Sequence, residues 1–249
     1  MFSQEQIKGF LLKNLKSLAA HESGLLSFSF ILVFFNYNLL EKGVFIIEKI
    51  TQVFLIRHSE QLKIKNESSQ ILNEKIILSV EGERKAEEIS KLRELSNIDV
   101  LYSSNYVRAI STAKYIASQN NIEINIDENL NERKLGDLEA LEKLGQNMHH
   151  TFTVEQLLDE TLKNKDGESR TEVVKRMEEL LNNILTENLG KNIAIVSHGA
   201  SIKFILMNWC NLNNNYELEY NSSIINVNSP SVIKLVFDNK KLVGLSQIF

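Results

Sequence analysis

Residues 53–60 read VFLIRHSE, an apolar run of four residues followed at once by an arginine and a histidine. A short apolar run bounded in this way is typical of a buried strand. Residues 193–199, IAIVSHG, show the same arrangement near the other end of the chain. In an open parallel sheet, ligands gather at the carboxyl ends of the strands. The pattern therefore predicts that His58 and His198 lie at the mouth of one site.

Strand and helix signals alternate through the rest of the chain. Ser79 is the predicted N-cap of a helix that runs to about residue 95, and Asn105 that of a helix that runs to about residue 118. Ser169 and Glu172 form a capping-box pair before another amphipathic run. Further strands are predicted at residues 100–102, 122–126, 224–227, 232–237 and 242–245. This alternation predicts an α/β fold, a three-layer α/β/α sandwich around a mostly parallel central sheet.

Charge and cysteine content limit the partners. The chain has 249 residues with a formal net charge of −4, and no Lys/Arg block is long enough to indicate a nucleic-acid partner. A bound anion must then be held by a local cluster of positive groups. Cys210 is the single cysteine, so an intrachain disulfide is excluded. We expect Cys210 to be a small core residue and the protein to be cytoplasmic.

The first 49 residues differ from the rest, and we expect two parts: a hydrophobic extension at 1–49 and an α/β domain at 50–249. Residues 23–40 carry no charge and are dense in Leu and Phe. Eighteen residues is the lower edge of a membrane span. Two interpretations stay open, a buried helix or helical hairpin packed on the main domain, and a membrane anchor.

Arg57-His58-x-Glu60 resembles the signature of the histidine phosphatase superfamily, which includes the phosphoglycerate mutases. The resemblance extends over about four fifths of the chain, because five further blocks follow in the order that the family shows. These blocks are Leu78-Ser79-x-x-Gly82 with Ala86, Tyr102-Ser103-Ser104-x-x-x-Arg108-Ala109-x-x-Thr112-Ala113, Leu130-Asn131-Glu132-Arg133-x-x-Gly136, Gly167-Glu168-Ser169 and Val196-Ser197-His198-Gly199.

The resemblance implies a phosphatase that works through a phosphohistidine on His58 and needs no metal or cofactor. Neutral imidazole is a good nucleophile near neutral pH. Glu132 is the implied general acid, which protonates the leaving oxygen and then deprotonates the attacking water. The other implied catalytic residues grip the phosphate oxygens through charged or polar donors: Arg57, Arg108 and His198. The implied phosphate-binding set is Arg57, His58, Arg108, His198 and Gly199.

Some features depart from the family's usual pattern or leave alternatives. Ser59 stands where the family usually has Gly, and Ile64 where it often has an Asn that touches the phosphoryl group. The Trp- and Phe-containing stretch of cofactor-dependent mutases is absent, which favours hydrolysis. A mutase-type phosphotransferase and a non-catalytic protein that binds a phosphorylated ligand remain the alternatives. His149-His150 has no third ligand at metal-binding spacing, so we interpret the pair as linker or lid.

Overall fold

The computed structural model describes residues 50–63, 73–137 and 152–249. The extension predicted at residues 1–49, with the uncharged run at 23–40, lies outside the described residues, and so do Ile64 and the His149-His150 pair. Within the described ranges, no helix combines the length and the apolar composition needed to cross a membrane.

A six-stranded sheet forms the centre of the domain. Its strands, in spatial order, are β3 (Ile124–Ile126), β2 (Val100–Ser103), β4 (Asn192–Ser197), β1 (Ile50–Arg57), β8 (Ser231–Asp238) and β9 (Lys241–Gln247). The pairings among β1 to β4 are parallel, whereas β8 pairs with β1 and β9 pairs with β8 in antiparallel fashion. The predicted α/β fold is confirmed, but the sheet is mixed. The tight turn after β8, where Asn239 adopts a φ of 53° and reverses the chain, makes β9 antiparallel to β8.

Helices cover both faces of this sheet. They are α1 (Val80–Ser90), α2 (Val107–Asn120), α3 (Val154–Leu158), α4 (Arg170–Glu187) and α5 (Gly199–Leu206). Alternate residues of β1 belong to different cores: Val53 and Leu55 pack with α4 and α5, and Phe54 and Ile56 pack with α1 and α2. This period of two is the ordinary pleat of a strand, so the parallel part of the sheet is buried on both faces.

Two of the predicted helix starts are confirmed. The Ser79 side chain accepts a hydrogen bond from the Gly82 amide at the start of α1. Ser169 and Glu172 form a complete capping box at the start of α4. A Cβ built on Gly82 would lie 2.0 Å from the carbonyl oxygen of Glu60. Only glycine therefore lets α1 dock this closely on the segment that carries His58.

One other predicted helix start is wrong, and one predicted strand is present but lies in a second sheet. Asn105 does not cap α2, because Tyr106 takes the N-cap position. The side-chain amide of Asn105 donates instead to the Glu128 carboxylate at 3.2 Å. The strand predicted at 224–227 is not part of the central sheet. It forms β7 (Ser223–Ile225) in a small sheet with β5 (Asn211–Leu212) and β6 (Leu218–Tyr220). Both turn residues between β6 and β7 have positive φ, which closes a local hairpin.

Cys210 lies just after α5 as a buried free thiol. Burial raises its pKa to about 11. The thiol is then protonated near neutral pH, and Cys210 is a core residue, as its apolar surroundings in the sequence predict.

Candidate active site

The two histidines meet at the carboxyl ends of neighbouring strands. The register pairs Arg57 of β1 with Ser197 of β4, and the His58 amide donates to the Ser197 carbonyl at 2.9 Å. Because both strands end at the same edge of the sheet, the next residue of each faces the same space. The ring centroids of His58 and His198 lie 5.0 Å apart, with the ring planes tilted by 58°.

His58 is buried and its tautomer is fixed by the backbone. Its Nδ1 lies 2.7 Å from the carbonyl oxygen of Ser59, which can only accept, so Nδ1 carries the hydrogen. The lone pair is then on Nε2, which accepts from the Arg108 Nε at 3.1 Å. Burial, together with the positive charge of Arg108, holds the pKa of His58 well below its usual range. The ring is therefore neutral near pH 7 and presents a free electron pair.

The two arginines approach this electron pair from different elements. The Arg57 Nη1 donates to the Val227 carbonyl at 2.6 Å, and its Nε is buried without a partner among the described residues. A Cβ built on Gly199 would lie 3.0 Å from Arg57 Cζ, so the guanidinium lies against the bare backbone there. The Arg108 Nη1 donates to the Asn73 carbonyl at 2.6 Å. Desolvation lowers the pKa of both arginines, and neighbouring Glu132 opposes that shift.

His198 has one ring nitrogen satisfied and one not. Its Nε2 lies 2.8 Å from Ser104 Oγ, and its Nδ1 is buried without a hydrogen-bond partner in the part of the chain that is described. Burial, followed by the proximity of His58, keeps the pKa of His198 well below its usual range. The edge of the Tyr106 ring packs against this imidazole, with centroids 4.8 Å apart.

Glu132 is buried at the N-terminus of α5. Its Oε1 accepts from the Arg133 amide at 2.8 Å and from the Ser201 amide at 3.2 Å, and its Oε2 accepts from the Ala200 amide at 3.3 Å. These backbone N–H groups fix the orientation of the Glu132 carboxyl group. Glu132 was predicted as a site residue from the sequence. Its hydrogen bonds to the backbone amides of α5 could not be predicted in that way.

A half-buried ion pair supports the loop that carries Glu132. The Arg176 Nε donates to the Glu168 carboxylate at 2.9 Å, and its Nη2 donates to the Asn131 carbonyl at 2.9 Å. Glu168 also accepts from the Lys134 amide at 2.9 Å. The Arg176 Nη1 donates to the Asn129 carbonyl. Glu168 lies in one of the family-like blocks, but no role was predicted for it. Arg176 on α4 lies outside those blocks, so its contact with Glu168 was not predicted.

Ser59, which departs from the family's usual glycine, contacts the site through its backbone, and its buried hydroxyl has no hydrogen-bond partner among the described residues. Its amide donates to Thr112 Oγ1 at 2.9 Å, and its carbonyl accepts from His58. Both are backbone functions, which any side chain that fits can retain. The Ser59 side chain is fully buried.

A cleft of about 320 Å³ opens beside Arg57 and Gly199. Its walls combine two aromatic side chains with charged and polar ones: Phe152, Tyr216, Lys203, Glu217 and Asn226. Lys203 Nζ donates to the Tyr216 carbonyl at 3.0 Å and lies 5.3 Å from the centroid of the Phe152 ring. Across the described ranges, no three His, Cys, Asp or Glu side chains lie close enough together to hold a metal ion.

A family model described as the histidine phosphatase superfamily (branch 1) matches residues 53–243. The chain belongs to this superfamily. The matched range contains every site residue described above and most of the central sheet. The resemblance carried by the six sequence blocks is thereby confirmed.

Named relatives within the superfamily include mutases and phosphatases. The chain is 29% identical over 158 residues to the probable phosphoglycerate mutase GpmB of Yersinia enterocolitica, covering 62% of this chain and 73% of the relative. It is 28% identical over 163 residues to phosphoglycerate mutase-like protein 4 of Arabidopsis thaliana, covering 61% and 68%.

Solved structures share the fold at lower identity. A mycobacterial glucosyl-3-phosphoglycerate phosphatase superposes with a TM-score of 0.60 at 18% identity, over 80% of this chain and 97% of that chain. A phosphoglycerate mutase of Bacillus anthracis superposes with a TM-score of 0.57 at 17% identity, over 81% and 93%. Together with the family match, these relatives indicate an enzyme of phosphoryl transfer, either a phosphatase or a mutase.

Proposed function

We propose that this protein is a metal-independent phosphatase that hydrolyses a phosphomonoester through a phosphohistidine on His58. The observation that carries the proposal is the state of His58 itself. The ring is buried and neutral, its hydrogen is committed to the Ser59 carbonyl, and its lone pair on Nε2 lies among cationic groups. An imidazole in this state is an activated nucleophile aimed at an anion.

The groups around Nε2 supply what a phosphoryl group requires. Arg108 donates to Nε2 in the free protein, and its guanidinium would donate to the phosphoryl oxygens of a bound substrate instead. The buried Arg57 Nε and His198 Nδ1 are polar atoms without partners among the described residues. A bound anion would satisfy the Arg57 Nε–H directly, and His198 Nδ1 once that atom carries a hydrogen. Fixed positive groups in a desolvated site stabilise the charge that spreads over the equatorial oxygens during transfer.

The proposed reaction has two steps. In the first, the His58 Nε2–P bond forms, the P–O bond to the leaving group breaks, and protonated Glu132 gives its proton to the leaving alkoxide oxygen. In the second, the Glu132 carboxylate takes a proton from water, whose oxygen attacks phosphorus and displaces His58. Inorganic phosphate and neutral His58 remain. The cleft beside Arg57 and Gly199 is the space for the alcohol part of the substrate.

A mutase-type phosphotransferase is the second candidate, because relatives at 28–29% identity are named as phosphoglycerate mutases. It would use the same phosphohistidine and pass the phosphoryl group to an alcohol instead of to water. Adding an acceptor alcohol separates the two functions. A phosphatase releases mainly inorganic phosphate under these conditions, whereas a phosphotransferase forms mainly the new phosphoester.

The test is a release assay over sugar phosphates, phosphoglycerates, nucleotides and phosphopeptides, run on the wild type and on His58→Asn. We expect His58→Asn to lose about 10²-fold or more of kcat/KM, the usual scale for removing a catalytic group. Excess chelator should leave the wild-type rate unchanged. A thermal unfolding curve shows whether His58→Asn is folded. Equal rates for the two proteins, or loss of activity with chelator, would contradict the proposal.

A further inference from the structure

A chain of hydrogen bonds leads from His198 away from the centre of the site. His198 Nε2 lies 2.8 Å from Ser104 Oγ, and Ser104 Oγ lies 2.7 Å from Asn131 Oδ1. The same Oδ1 accepts from the Asn105 backbone amide at 3.2 Å. The Ser104 and His198 side chains are fully buried. Ser104 and Asn131 both stand in the family-like sequence blocks, and the proposed reaction gives neither of them a role.

Which atom donates in each of these hydrogen bonds is determined by the bond farthest from His198, the one between Asn105 and Asn131. A backbone N–H can only donate, so the Asn131 atom that faces Asn105 is the oxygen, an acceptor. The Ser104 hydroxyl must then donate to it. The Ser104 oxygen is left to accept, and it accepts from the Tyr106 backbone amide at 3.2 Å and from the Nε2–H of His198. In the neutral ring, Nδ1 therefore carries a lone pair and no hydrogen.

A lone pair on Nδ1 is the wrong partner for an anion. This atom is buried and has no hydrogen-bond partner in the described ranges, and its ring lies 5.0 Å from that of His58. We propose that Ser104 and Asn131 are positioning residues that hold His198 with Nε2 protonated, so that a binding dianion brings one proton from solvent onto Nδ1. This inference rests on the proposed function, since it assumes that the anion sits between the two imidazoles.

The surroundings of His198 make this proton uptake conditional on the anion. Charged or titratable groups face the ring from every element packed on it: Arg57 and His58 from β1, Tyr106 and Arg108 at the start of α2, Glu132 beside α5 and Arg176 from α4. Without an anion, burial and the neighbouring cations keep the ring neutral. Two negative charges placed beside the ring reverse that balance and favour the imidazolium.

Sulfate is the probe, because it carries no proton of its own near neutral pH. Imidazole ¹⁵N spectra of the free protein should show His198 protonated on Nε2 alone, and those of the sulfate complex should show both of its nitrogens protonated. Calorimetric titration in buffers of different ionisation enthalpy should give uptake of close to one proton per sulfate. Affinity should fall about tenfold per pH unit between the pKa of His198 in the free protein and its higher pKa in the sulfate complex.

Three variants test the role of the chain. Ser104→Ala removes the acceptor for Nε2–H, which lets Nδ1–H form, and should reduce both the proton uptake and the pH dependence of sulfate affinity. Asn131→Leu removes the acceptor for the Ser104 hydroxyl, which lets that hydroxyl donate to Nε2 of His198, and should reduce the uptake in the same way. Ser103→Ala is the matched control, since Ser103 is equally buried but donates to the Ser104 carbonyl at 3.0 Å. Its proton uptake should equal that of the wild type.

Two results would overturn the inference: a free protein in which His198 carries its hydrogen on Nδ1, or an uptake in Ser104→Ala equal to that of the wild type. Failure here is distinguishable from failure of the proposed function. If phosphoesters are hydrolysed through His58 but sulfate binds without proton uptake, the function stands and the role of Ser104 and Asn131 is wrong. If the wild type neither binds sulfate nor turns over phosphoesters, both are wrong.

Discussion

At the scale of the residue, Arg176 shows how a side chain remote from the reacting atoms can set their geometry. It joins Glu168 to the carbonyls of Asn129 and Asn131, directly before Glu132 in the chain. The side chains of Arg176 and Glu168 are each only 16% exposed, so solvent screens the pair weakly. This pair fixes the loop that carries Glu132, the general acid of the proposed reaction.

Replacing Arg176 should therefore damage the step that needs the general acid. We expect the double variant Arg176→Met with Glu168→Gln, which leaves no unpaired buried charge, to lower kcat by about 10- to 100-fold, because small misplacements of a catalytic group cost rate on this scale. KM should change little. The loss should be smaller with p-nitrophenyl phosphate, whose leaving group needs little protonation, than with an alkyl phosphate.

Arg84→Met is the control for this prediction. Arg84 forms ion pairs with Glu81 and Glu88 on the exposed surface of α1, and such pairs contribute little to stability. Its kcat should equal that of the wild type on both substrates. An equal loss for the double variant on both substrates would instead point to a general structural defect and contradict a role in acid catalysis.

The functional residues at the strand ends could be predicted from the sequence, whereas the groups that hydrogen-bond to their side chains could not. His58 and His198 are recognisable because each directly follows a short apolar run, and strand ends are where ligands bind. The contacts that fix their tautomers, to the Ser59 carbonyl and the Ser104 hydroxyl, depend on backbone placement. Asn105 was predicted as a cap from its type alone, but Tyr106 took that position.

At the scale of the element, periodicity predicted which segments are strands but not which strands pair. The strand predicted at 224–227 exists, as β7, but it joins a local hairpin because Asn221 and Ser222 close a two-residue turn with positive φ. The run at 232–237 has a similar apolar composition and enters the central sheet beside β1. Short apolar runs do not specify which strand they pair with, so the pattern of apolar residues alone did not predict that the sheet is mixed.

At the scale of the whole molecule, the two buried histidines link stability to pH. Burial lowers the pKa of both His58 and His198 well below the ordinary value of about 6.5. The unfolded chain would take up protons at these positions as pH falls through that value, and the folded protein would not. The stabilisation is complete above this range and is lost as pH decreases below it.

We therefore expect the free energy of unfolding, measured by urea denaturation, to fall between pH 6.5 and pH 5. The slope should reach about 1.4 kcal/mol per pH unit for each histidine. His58→Asn should remove the contribution of one histidine from that slope. A wild-type stability that is flat or rises as pH falls through this window would mean that the histidines are not held neutral.

The central claim, transfer through His58, is tested most directly by trapping the phosphorylated protein. Wild type and His58→Asn would be mixed rapidly with a labelled phosphoester that the assay shows to be a substrate, quenched in alkali, digested and analysed by mass spectrometry. The account predicts an acid-labile, alkali-stable phosphate on the peptide that contains His58, and none in His58→Asn. Turnover without any label on His58, or label that persists in His58→Asn, would contradict it.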